Sequence, residues 1–318
     1  MAQLTMPQAT TPLSASSRWV ATLRRIMRCK ECYLLLVPTF ALILLFNYYP
    51  AASALYHSFF NWDGANFKQF SGLANFRTML KDAIIWQALG NMIKLTVISV
   101  VINLTFPRVA AARIVRLRDL RLAGWYRVRF VVPMVVPGMV TLMIWRFIYN
   151  PNIGLLNQIL KAIGLGTWAR PWLGDFNLAL YAIIFIGFPW VAGIGTLIYL
   201  AGFQAIPSEL LDAAAIDGAS TWYRFWGVEL PLVMSQIKLL VILTVIGSFQ
   251  GFTTIMVMTN GGPGTATMVP GLYLYRNAMY YNKMGYACAI GTFIFILTLI
   301  LTYLNTRYLK SSVEFTGA

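Results

Sequence analysis

Three cysteines, one histidine and a glycine-rich turn are the residues of this 318-residue chain whose types most often do chemistry, and none has a partner in the sequence. Cys29 and Cys32 form a lone C-x-x-C. A zinc site needs a second ligand pair and a redox pair needs a βαβ context, so without either the two thiols are read as inert. Cys288 stands alone in an apolar run, and no metal site is expected. His57 is the single histidine, so no Ser-His-Asp triad or histidine-rich metal centre can be assembled. Gly261-Gly262-Pro263-Gly264 lacks the Lys-Ser/Thr ending of a phosphate-cradling loop, and no such motif occurs elsewhere. The chain is therefore expected to hold no catalytic residue and no cofactor of its own.

A different kind of site is written into the polar stretch 203–231. It runs Ile206-Pro207-Ser208-Glu209-Leu210-Leu211-Asp212-Ala213-Ala214-Ala215-Ile216-Asp217-Gly218, then Ala219-Ser220-Thr221-Trp222 and on to Val228-Glu229-Leu230-Pro231. This spells two short helices at an elbow. Ser208 is placed to cap the first, with Glu209 and Asp212 near its positive N-terminal end; Gly218 supplies the turn and Ser220 caps the second. Small side chains at Ala213, Ala214 and Ala215 let the first helix lie close against another protein.

The elements that must position this elbow are apolar. Hydrophobic residues make up 58% of the chain and charged residues only 11%, against the roughly 25–35% charge that a soluble surface carries. Runs able to cross a ~30 Å hydrocarbon layer fall at 34–56, 86–106, 130–149, 177–201, 233–258 and 286–308. The expected fold is an all-α, polytopic membrane protein of about six transmembrane helices spread over 33–310. Pro38, Pro50, Pro133, Pro137 and Pro189 interrupt the runs, which membrane helices tolerate beside neighbours or a wet cavity. The first run is too long for a signal sequence and is expected to stay in the protein.

The formal charge of +15 follows the runs rather than a polar domain, so it is read as a topology signal and not as a nucleic-acid surface. Fifteen basic residues fall on one side: Arg18, Arg24, Arg25, Arg28, Lys30, Arg108, Arg113, Arg116, Arg118, Arg121, Arg127, Arg129, Arg224, Arg307 and Lys310. The alternate connections hold seven: Lys68, Arg77, Lys81, Lys161, Arg170, Arg276 and Lys283. Positive-inside retention then places the N-terminal segment 1–32, the 203–231 elbow and the tail 311–318 in the cytoplasm.

Polar and aromatic residues in the spans are candidates for a pathway. Gly247 and Gly251, with Ser248, Gln250, Thr253 and Thr254, either pack helices or open one where a solute passes. Trp145, Tyr199 and Phe249 either stack on a ring or pack. Lys94 costs about 2.5–3.5 kcal/mol at a helix centre, so it either snorkels to the outer interface or faces a wet cavity. In the cavity it would attract an anionic sugar, such as a uronate oligosaccharide of the alginate type or a sugar phosphate.

The stretch Asp212-Ala213-Ala214, Gly218 and Val228-Glu229-Leu230-Pro231 resembles the EAA loop of the permease subunits of ATP-driven, binding-protein-dependent importers. Phe70-Ser71-Gly72-Leu73-Ala74-Asn75-Phe76, Ile144-Trp145-Arg146-Phe147 with Asn150-Pro151, Gly154-Leu155-Leu156-Asn157, Gly247-Ser248-Phe249-Gln250, Thr259-Asn260-Gly261-Gly262-Pro263 and Gly285-Tyr286-Ala287 are similar to its sugar-importing, maltose-type branch. Asp212 stands for the usual glutamate and Val228 for the usual isoleucine. The resemblance implies that Glu209, Asp212, Ala213, Ala214, Asp217, Gly218 and Pro231 form a coupling helix docked on a separate ATPase. It also implies a second homologous permease, two ATPase copies binding ATP and Mg, a periplasmic solute-binding protein and a carbohydrate substrate, in the bacterial inner membrane. An intramembrane enzyme is disfavoured because no span contains an acidic residue. An ion-coupled carrier would need no ATPase-docking loop.

Overall fold

The computed structural model describes residues 30–191 and 193–308, which divide into two compact units at Tyr56. Cys29, Arg18, Arg24, Arg25, Arg28 and Lys310 lie outside the described residues, with most of 1–32 and all of 311–318. In the first unit, α1 (Lys30–Ile43) runs through a π-helical turn, Leu44–Tyr48, into α2 (Tyr49–His57). The Tyr49 N–H reaches back to the Leu44 carbonyl, a five-residue bond just before Pro50, which has no N–H to give. Tyr33–His57 is long and apolar enough to cross a bilayer.

The second unit opens with an element that an all-α reading leaves out. A hairpin pairs β1 (Phe60–Trp62) with β2 (Lys68–Phe70), Phe60 opposite Phe70. Asp63 ties its turn by accepting the N–H groups of Ala65 and Phe67. His57 stacks on Trp62 at 4.1 Å, a packing role for the boundary histidine.

Helix α3 (Ala74–Lys81) leads through Asp82 into α4 (Ala83–Val115), whose 33 residues span about 50 Å. Next come α5 (Leu120–Val135) and α6 (Gly138–Ile148), bent by 90° at Val136 and Pro137. The residue before a proline is forced out of the helical region, and Val136 is extended at ψ 126°. After α7 (Leu155–Ala162) and α8 (Ala179–Ile184) the chain leaves the helical conformation from Phe185 to Val191, and α9 (Ile194–Gln204) follows. An unbroken helix over 177–201 is therefore not found. Trp190 sits at φ +54°, a backbone region that non-glycine residues rarely enter and that no helix contains.

The elbow follows as α10 (Ser208–Ile216), α11 (Thr221–Arg224), a π-helical turn at Phe225–Glu229 and α12 (Leu230–Leu232). Helix α13 (Met234–Gln250) stops at Gly251, so the apolar run 233–258 is also broken before α14 (Thr253–Met258). Helices α15 (Pro270–Met279) and α16 (Met284–Tyr308) close the unit. Three described helices are long and apolar enough to cross a membrane alone, or six if each bent pair counts as one span.

Helices α9 and α13 pack on α4, and α13 and α15 on α16. One apolar cluster joins the end of α4 (Ala111, Ala112, Ile114) to Phe203, Phe225 and Val233 beside the elbow. Two more, around Met258 and Met268 and around Ile85 and Ile290, hold the hairpin end.

Candidate functional site

The elbow is built as its residue types require, with one change. Pro207 occupies the cap position of α10 and Ser208 is the first helical residue, with no side-chain cap bond, so the expected Ser208 cap is corrected. A proline at the boundary presets the φ that helix entry needs. The Ser220 hydroxyl does cap α11, accepting the Tyr223 N–H at 3.2 Å. Gly218 lies at φ +76°, where a Cβ would be strained, and its N–H reaches the Ala215 carbonyl.

Most of the elbow candidates are on the surface. Glu209, Asp212, Ala213, Asp217, Gly218 and Pro231 are exposed, and Ala214 is half-buried. Ala214, Asp217 and Gly218 line a concavity of about 610 Å³ together with Ser220, Tyr223 and Val228. Around it stand large apolar side chains open to solvent: Ile216 is 87% exposed, and Trp222 and Tyr223 are exposed as well.

Beside the elbow lies a charge cluster with a signal that was only partly visible in the sequence. Glu229 is 6% exposed and accepts both Nη2 contacts of Arg116, at 2.8 and 3.0 Å; Arg224 Nε is 3.3 Å away. Glu229 belongs to the Val-Glu-Leu-Pro motif, while Arg116 counted only as a basic residue at a span end.

A second concavity lies among the broken spans. It holds about 530 Å³ and is bordered by Ser99 and Asn103 of α4, Trp190, Thr244 and Ser248 of α13, and Thr254. Asn103 donates to the Thr244 hydroxyl at 3.2 Å, and Thr244 donates in turn to the Leu240 carbonyl. The Trp190 indole N–H is held by the carbonyls of Ile184 and Ile186, which fixes its ring. Irregular backbone within a membrane survives only where protein or a water-filled cavity satisfies it, and here the interruption borders this concavity.

Of the pathway candidates, the structure brings Gly247, Ser248, Gly251 and Thr254 to this cavity. Gln250, Thr253 and Lys94 are exposed and do not border it. Tyr199 (0% exposed) and Phe249 (4%) are buried in apolar clusters and Trp145 packs against Tyr149 and Phe185, so none of the three offers a free ring face to the cavity. Asn103 and Trp190 were missed; a positive-φ tryptophan leaves no trace in hydropathy. Among the described residues no cluster of His, Cys, Asp or Glu could hold a metal ion.

The hairpin end explains several short motifs. Asn75 donates to the carbonyls of Ser58 and Phe60, Asn91 to those of Ala266 and Met268, and Asn157 to those of Pro151 and Arg170. Each asparagine fastens a non-helical stretch to a helix.

Long apolar helices, broken where they border a polar cavity and joined at one end by an exposed elbow, define a membrane permease. Residues 106–314 match the family described as the binding-protein-dependent transport system inner membrane component, and the chain belongs to that family. It is 36% identical to the probable ABC transporter permease protein YurN of Bacillus subtilis, over 89% of this chain and 97% of that protein. It is 32% identical to the trehalose/maltose transport system permease protein MalF of Thermococcus litoralis, over 86% and 92%. The fold is shared with a bacterial ABC transporter involved in import of the acidic polysaccharide alginate, with a TM-score of 0.80 and 20% identity over 92% of this chain and 100% of that one.

Proposed function

We propose that this chain is the channel-forming subunit of an ATP-driven sugar importer, paired with a second permease, two ATPase copies and a solute-binding protein. The observation that carries this reading is the elbow: small residues at 213–215, a sharp stop at Gly218 and an exposed apolar rim at Ile216, Trp222 and Tyr223. ATP and Mg belong to the partner. In this reading six spans cross the bacterial inner membrane, the elbow and both termini face the cytoplasm, and the hairpin faces the binding protein.

The cavity gives the solute its chemistry. Hydroxyl and amide groups at Ser99, Asn103, Thr244, Ser248 and Thr254 beside the Trp190 ring suit a neutral sugar, and among the described residues none that borders it is charged. The Trp190 ring is itself packed among Phe106, Phe185 and Phe188 and serves as a fixed wall, while the hydroxyls and amides hydrogen-bond around the sugar. Lys94 then reaches for the interface along its long stem.

The test is the assembled complex in liposomes. Gly218→Asp and Ala214→Trp are expected to insert and assemble normally, yet to abolish sugar-stimulated ATP hydrolysis. Full stimulation in both variants, or ion-driven uptake by the purified chain alone, would overturn the reading.

A further inference from the structure

We propose that Glu229 and Arg116 form a strut that carries motion of the elbow into α4, making both positioning residues for transport. The inference rests on the reading of the elbow as the ATPase contact. Glu229 closes the π-helical turn that follows α11, and Arg116 is the residue at which α4 ends. Their bond therefore ties two segments 113 residues apart in sequence. Two oxygens of one carboxylate meet a single Arg116 nitrogen, and Arg224 supplies a second positive charge from the elbow side.

The surroundings make this tie stiff. The Arg116 guanidinium lies over the Phe225 ring at 5.4 Å, and Arg108, one α4 segment earlier, covers Phe225 and Trp226. Phe225 itself packs in the cluster that contains Ala111, Ala112 and Ile114 of α4. The Glu229 end of the bridge is buried and the Arg116 side chain is 34% exposed, so separating the two leaves a carboxylate inside the protein short of a partner.

What lies along α4 gives the strut its use. From Arg116 the same helix, continuous through Pro107, reaches Asn103 and Ser99 at the cavity, about 20 Å away for the thirteen residues to Asn103. A displacement at the elbow is thus delivered to the cavity wall along one helix, with Pro107 between the two ends, independently of the covalent route through α12 and α13.

The measurement is sugar moved per ATP hydrolysed by the assembled complex in liposomes, with assembly and basal hydrolysis followed in parallel. Glu229→Gln and Arg116→Gln should each lower this ratio at least about fivefold, the lower end of measured coupling between sites, at unchanged assembly and basal hydrolysis. The double variant should be no worse than either single one, and Arg116→Lys, which keeps charge but loses the guanidinium plane over Phe225, should fall between. An unchanged ratio, additive losses, or a loss that merely follows the amount of assembled complex would overturn the strut. Gly218→Asp separates the two readings: if it uncouples while Glu229→Gln does not, only the strut fails, and if neither uncouples, the elbow is not the ATPase contact.

Discussion

The Asp82 carboxylate accepts the Tyr273 hydroxyl at 2.6 Å, and the same oxygen accepts the Tyr286 hydroxyl at 2.8 Å. One side chain at the head of α4 therefore holds both α15 and α16. Burial alone would raise the Asp82 pKa, but hydrogen bonds from the two hydroxyls and from the Ile84 and Ile85 amides outweigh it and hold the carboxyl below its ordinary value of 3.8. Tyr273 is pushed the other way, up to about 12, by burial first and then by Asp82.

The sign of the resulting pH dependence is fixed. A depressed carboxyl stabilises the fold fully above its unfolded pKa, and that contribution fades as pH falls below 3.8 through the folded value. Asp82→Asn is expected to lower stability by about 1–3 kcal/mol near neutral pH. Unfolding midpoints in detergent for the two proteins should differ at pH 7 and converge in acid. A constant gap across that range would show that Asp82 acts through shape and not charge.

Gly285 gives a steric prediction. A Cβ there would drive into the Phe60 carbonyl oxygen and lie 3.0 Å from the Trp62 nitrogen, so the hairpin rests directly on the backbone of α16. Both clashing atoms are main chain and cannot swing away. Gly285→Ala should cost about 1–3 kcal/mol, as overpacking does, and should expose the hairpin turn to protease before the rest of the chain. An unshifted melting curve with an intact hairpin would contradict this packing.

What the sequence made legible was local. The apolar runs mark out α1 to α2, α4 and α16 because composition is a property of each segment alone, and Gly218 and Ser220 are legible because turn and cap chemistry act over a few residues. The Asp82–Tyr286 bond joins positions 204 apart and the Arg116–Glu229 bond positions 113 apart, so no periodicity contains them. The run 177–201 misled for a related reason: hydropathy records that Phe185 to Val191 are apolar but not that Trp190 takes a left-handed backbone. Ser208 failed as a cap because Pro207 already occupied that position.

Topology can be tested with single cysteines in a background lacking Cys29, Cys32 and Cys288. Asn66, in the exposed hairpin turn, and Ile216, at the elbow, are suitable positions because neither side chain supports the fold. Cysteine at 66 should react with an impermeant thiol reagent added outside cells or spheroplasts, and cysteine at 216 only after the membrane is opened. The reverse pattern would invert the orientation argued from fifteen basic residues against seven.

The last prediction separates a neutral from an anionic solute. Lys94 is exposed, while Leu95, Ser99, Ile102 and Asn103 of the same helix border the cavity, so the lysine lies off the lined face. Asn103 is different: its amide is fixed by Thr244 and its remaining polar capacity is available to a sugar hydroxyl. Replacing a hydrogen-bonding group by an apolar one at such a place costs about 1–3 kcal/mol, or about tenfold in affinity at 1.4 kcal/mol. Asn103→Leu should therefore raise the KM for uptake of a neutral oligosaccharide about tenfold, and Lys94→Met should leave it unchanged. The decisive comparison is a uronate oligosaccharide of the same length. If Lys94→Met abolished its uptake while Asn103→Leu spared it, the lysine would belong to the pathway and the transported sugar would be an anion.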